Sequence, residues 1–72
     1  MSVGILVDMF IIKILQTSNK PLSIQAIRNK AMKELNSYVS WEAIKNHVVK
    51  LRKTNKIEEI LSGKRKLYIL KK

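Results

Sequence analysis

Seventy-two residues carry fifteen Lys and Arg against five Asp and Glu, a formal net charge of +10, and no cysteine. The missing thiols exclude a disulfide framework and a cysteine zinc site. A chain this short buries only about 60% of its unfolded surface, so its core comes from packed aliphatics or from pairing with a second chain. The charge exceeds the magnitude of roughly 2–8 that keeps a small domain in solution. It points to a polyanionic partner, nucleic acid first and an anionic membrane surface second.

Residues 1–18 read as a first helix with Ser2 as its cap. Val3, Leu6, Val7, Phe10 and Ile14 fall on one face, while Ile5, Met9 and Ile12 make a second apolar face. A helix apolar on more than one side is buried on more than one side. The cover for the face of Ile5, Met9 and Ile12 is either a second copy of the chain, making these residues a dimer interface, or a deeper intramolecular core. The run "VGILVDMFIIKIL" is interrupted by Asp8 and Lys13 and is shorter than the roughly 20 residues of a membrane span. It also lacks the basic start and cleavage site of a secretory signal. An intracellular protein with no membrane role is expected.

Asn19 and Pro21 break the first helix. Ser23 reads as the cap of a second helix over 24–35, with Ile24, Ile27, Ala31 and Leu35 inward. After "NSYV", Ser40 caps a third helix that runs to Lys53, with Glu42 placed favourably in its first turn. Ile44, Val48 and Leu51 form its buried stripe, and Asn55 is a left-handed stop. Two β-rich runs around Ser62–Gly63 then read as a hairpin. Residues 1–72 make a single α+β domain of three helices followed by a hairpin.

Opposite the stripe on the third helix lie Glu42, Asn46, Val49 and Lys53, flanked by Lys45 and Lys50. A polar, mostly cationic helix face of this kind fits a major groove about 12 Å wide. In that setting Asn46 suits adenine, Lys45 a guanine or a phosphate, Val49 a thymine methyl and Glu42 a cytosine amine. A short helix precedes it across a tight turn, the helix-turn-helix arrangement. The hairpin tip brings Lys64, Arg65 and Lys66 towards the backbone or the adjacent minor groove. Lys20 and Arg28 are candidate phosphate contacts. Trp41 is divided between packing on the second helix and stacking on a sugar or the backbone, and His47 reads as partly packed.

In "PLSIQAIRNKAM", "SWEAIKNHVVKLRKTNKI" and "IEEILSGKRKLYIL" the chain resembles the winged helix-turn-helix DNA-binding domains of bacterial and archaeal transcription regulators, including those of archaeal viruses and plasmids. Asn55-Lys56 stands where that pattern commonly has a glycine, and asparagine tolerates the same backbone. The resemblance implies a homodimer on a palindromic duplex site, with helix 41–53 (Ser40, Trp41, Glu42, Lys45, Asn46, Val49, Lys50, Lys53) in the major groove and wing 61–68 on the backbone or minor groove. The abundance of Ile and Lys without cysteine fits a thermophile.

Enzymatic activity is not expected. There is one histidine and no Gly-rich phosphate loop, and Glu58 and Glu59 are adjacent on a strand and point to opposite faces. No cofactor, metal or small-molecule ligand is expected. Two alternatives stand beside the transcription regulator. One is an architectural or replication-associated duplex binder without sequence preference; the other is a winged-helix protein-interaction module. RNA is disfavoured, because no aromatic sheet surface offers a stack for bases.

Overall fold

The computed structural model describes residues 3–71, with side chains from Leu6 onward. Three helices, α1 (Val3–Thr17), α2 (Ile24–Leu35) and α3 (Trp41–Lys53), precede an antiparallel hairpin of β1 (Ile57–Ser62) and β2 (Arg65–Leu70). This is the winged-helix architecture. Ser2 and the side chain of Ile5 lie outside the described residues.

Polar side chains set the helix boundaries. Ser23 Oγ accepts the Ala26 N–H at 3.2 Å and Ser40 Oγ the Ala43 N–H at 3.1 Å, so both predicted serine caps form. Such a cap is worth about 1 kcal/mol. Asn36 (φ 50°) and Asn55 (φ 62°) take the left-handed conformation just past α2 and α3. There the Ser37 N–H reaches Met32 O at 3.2 Å and the Lys56 N–H reaches Leu51 O at 2.9 Å. These bonds satisfy carbonyls that a helix end leaves open.

The core joins all five elements through Val7, Ile11, Ile14 and Leu15 of α1, Ile27 and Ala31 of α2, Ile44, Val48 and Leu51 of α3, and Leu22, Ile57 and Tyr68. The buried stripe of α3 is the one its spacing predicts. That of α1 is rotated from the expected face: Ile11 and Leu15 are buried, Leu6 is 39% exposed and Phe10 is only half-buried. An apolar residue at nearly every position gives α1 no strong phase of its own, and tertiary packing chooses the face.

Register in the hairpin pairs Ile57 with Leu70, Glu59 with Tyr68 and Ser62 with Arg65. The two-residue turn Gly63-Lys64 has φ +64° at Gly63 alone among its central residues, the sign pattern of a type II′ turn. Leu22 adds one antiparallel bridge to β2, donating to Tyr68 O at 3.1 Å and accepting from Tyr68 N–H at 2.8 Å. Pro21 sits just before it, at an edge where its missing N–H costs nothing. This bridge ties the start of α2 to the base of the wing. Among the described residues no helix is long and apolar enough to cross a membrane.

Candidate nucleic-acid interface

One open cleft of ≈ 510 Å³ runs between α3, the start of α2 and the wing. Trp41, Lys45, Val49 and Arg52 line it from α3, and Arg65 and Lys66 from β2. The positions 41, 45, 49 and 52 recur at helical spacing, so they form a ridge beside the buried stripe rather than opposite it. Of the cleft's eleven lining side chains four are cationic, Glu59 is the one acid, and Trp41 and Tyr68 are aromatic. The wing-facing flank of α3 thus concentrates positive charge on a concave surface.

The cleft's own contacts fix its shape. Lys45 Nζ lies 5.4 Å from the centre of the Trp41 ring, a cation–π contact that holds both side chains over the cleft. Arg52 Nη1 reaches Glu59 Oε2 at 3.8 Å, and the Tyr68 hydroxyl donates to Glu59 Oε1 at 3.1 Å. Burial, then the Glu59 carboxylate, raises the Tyr68 phenol above its ordinary pKa. Its proton stays in the bond to Glu59 and braces the wing base against α3.

The opposite flank of α3 faces α1. Asp8, with a side chain only 15% exposed, receives two partners there: His47 Nδ1 at 2.8 Å from Oδ1 and Lys50 Nζ at 2.7 Å from Oδ2. With its proton on Nδ1 the imidazole donates to the carboxylate. Burial alone would raise the Asp8 carboxyl, but the hydrogen bonds from Lys50 and His47, together with their charges, outweigh it and hold the pKa below its ordinary value. Asp8 locks α3 to α1 across a sequence separation of about forty residues.

The predicted site residues divide accordingly. Trp41, Lys45, Val49, Arg65 and Lys66 meet at the cleft. Glu42, Asn46 and Lys53 are exposed on α3, and Lys64 is exposed in the turn at the wing tip. Ser40 commits its hydroxyl to capping α3, and Lys50 turns to Asp8. The Arg28 Nε–H donates to Val39 O at 2.8 Å, and its guanidinium lies 5.4 Å from the Tyr38 ring centre. Lys20 lines a separate cleft with Leu15, Pro21, Ile69 and Lys71. On α1, Met9 is 60% exposed and lines a shallow apolar hollow with Leu6, Phe10 and Lys13, while Ile12 is half-buried against the core.

Sequence reasoning missed Arg52 and Tyr38. Arg52 falls between Trp41 and Lys45 on the helical wheel, on the flank that the hairpin covers, whereas a search directly opposite the buried stripe passes it by. Tyr38 lies in the connection before α3 and belongs to no periodic pattern.

A three-helix domain with a cationic helix flank and a cationic hairpin tip defines the winged-helix class. Residues 7–71 match the TBPIP/Hop2 winged helix domain, and the chain belongs to that family. A structure of the DNA-recognition and protein-interaction domains of HOP2 is similar, with 28% identity and a TM-score of 0.74, covering 89% of this chain and 97% of that one. The fold is shared with the ferric uptake regulator Fur of Helicobacter pylori (18% identity, TM-score 0.82, 90% of this chain and 43% of that one). It is shared also with the Zalpha domain of zebrafish PKZ (19% identity, TM-score 0.76, 99% and 100%). No curated protein sequence matches this one.

Proposed function

We propose that the chain binds double-stranded DNA by seating α3 and the wing on the duplex, mainly through the phosphate backbone, as an architectural or pairing-associated binder without catalytic activity. The observation that carries this reading is the meeting of Lys45 and Arg52 with Arg65 and Lys66 at one cleft. Cations set on two rigid elements at a shared concavity suit the regularly spaced phosphates of a duplex. The family supports it as well, since the similar HOP2 structure concerns DNA recognition and homologous DNA pairing by that protein.

A transcription regulator on a palindromic site is the second reading. The exposed amide of Asn46 and the half-exposed Val49 favour it, since both can address base edges. It requires a homodimer, for which the exposed apolar patch around Met9 on α1 is the candidate surface.

Selection of bound sequences from a random duplex library, at about 0.15 M salt with excess competitor, separates the readings. Strong retention without an enriched motif is the expected result. An enriched palindrome would replace the architectural reading with the regulator. No retention at all would set the basic cleft against an acidic protein instead.

A further inference from the structure

Two aromatic side chains stand exposed on either side of the Ser40 cap: Tyr38 at 75% and Trp41 at 44% exposure. Neither belongs to the core. Each has a cation over its ring at 5.4 Å, Arg28 for Tyr38 and Lys45 for Trp41. Trp41 shares the cleft with Ile24, at the start of α2, and Arg28 stands one turn further along the same helix. Tyr38 and Trp41 are three residues apart in the chain, so the two ring–cation pairs flank the start of α3.

From this arrangement we infer a stacking platform for unpaired bases that extends the duplex cleft past the start of α3, formed by Tyr38 outside the cleft and Trp41 at its edge, with single-stranded DNA as its ligand. Resting on the DNA-binding reading above, it adds a substrate class that the wing does not serve. A cation seated on one face of an aromatic ring pins the ring and leaves its other face for a base. Single-strand binders pair such rings with nearby positive charge that tracks the phosphates. Both parts are present here. Arg28 spends its Nε–H on Val39 O, and among the described residues its amino groups have no other hydrogen bond, so they remain for a phosphate. Bases inside an intact duplex keep their faces covered by their neighbours and cannot use the platform. Strand ends, gaps and displaced strands can.

Trp41 is the chain's one tryptophan and lines the duplex cleft as well, so its fluorescence reports binding by either probe, and Tyr38, which lies outside that cleft, tells the two apart. The experiment titrates the full chain with an oligothymidine of about 16 nucleotides and, separately, with a blunt hairpin duplex. Oligothymidine is expected to quench Trp41, and Tyr38→Ala to weaken that binding about tenfold while leaving duplex affinity within about twofold. Tyr38→Phe, which keeps the ring, restores single-strand binding. Arg65→Ala gives the reverse pattern, with the larger loss on the duplex. Duplex binding with no oligothymidine quench would overturn the platform and leave the duplex reading standing. Failure to bind either probe would overturn both. Equal losses on the two probes in Tyr38→Ala, with an unchanged thermal melt, would merge the platform into the duplex surface and overturn it as a single-strand platform.

Discussion

On the flank of α3 that faces α1, Lys50 and His47 share the carboxylate of Asp8 at 2.7 and 2.8 Å. On the flank that faces the wing, Lys45 lies against a tryptophan ring, and Arg52 reaches Glu59 only at 3.8 Å. Both flanks carry basic residues, yet one set is spent on holding helices together and the other remains directed at a cleft. What separates them is the position of one aspartate on another helix. Counting cations on a helix therefore overstates what a partner can use, and the acids that pack against the helix decide the remainder.

Removing the unspent charge should have the largest effect. Replacing Lys64, Arg65 and Lys66 together with alanine is expected to lower duplex affinity on the order of 100-fold at about 0.15 M salt and to flatten the log–log salt dependence by about 2.7, if each residue neutralises one phosphate. Filter retention across a salt series measures both quantities, and an unchanged slope would remove the wing from the interface.

The spent flank should register in stability instead. Asp8→Ala strands the His47 imidazole and is expected to cost about 1–3 kcal/mol in urea denaturation, most of it from the half-buried His47 contact, because the exposed Lys50 ammonium is screened by water. The folded Asp8 carboxyl titrates below its ordinary value. Its stabilisation is therefore complete above the unfolded carboxylate range, about pH 4, and is lost as pH falls through the lower folded value. The gap between the parent and Asp8→Ala should close on acidification. A gap that widened would reverse the assignment.

Two single substitutions test the flanks side by side. Lys45→Ala should weaken duplex binding about fivefold, the share of one phosphate contact at this salt. Lys50→Ala should leave it within about twofold, because Asp8 already holds that ammonium. Equal losses from the two would erase the distinction between the flanks.

Much of this fold is legible in the sequence wherever a residue type has one favourable local solution. Ser23 and Ser40 announce helix starts, Asn55 a left-handed stop, and Gly63 a tight turn. The stripe of Ile44, Val48 and Leu51 is legible because polar residues surround it. The face of α1 is not legible from its apolar residues, which occur on all sides, but Lys13, Gln16 and Thr17 mark the solvent side. Opposite them lie Val7, Ile11, Ile14 and Leu15, the residues that are buried. At the cleft, Lys45, Arg65 and Lys66 follow from helix and hairpin alone. Arg52, Tyr38 and the capture of Lys50 by Asp8 do not, because each depends on which element packs beside which. That information is absent from the spacing within any one element.

The turn at Gly63-Lys64 also limits how this wing can be lengthened. A strand residue adds about 3.4 Å and reverses the face of everything beyond it. Adding one residue to each strand would extend the arm but rotate Lys66 away from the side shared with Tyr68. Adding two to each would restore the facing and extend the arm by about 7 Å. The length of the wing is thus quantised in pairs of residues, and a binder of this design can span a wider or narrower groove only in steps of that size.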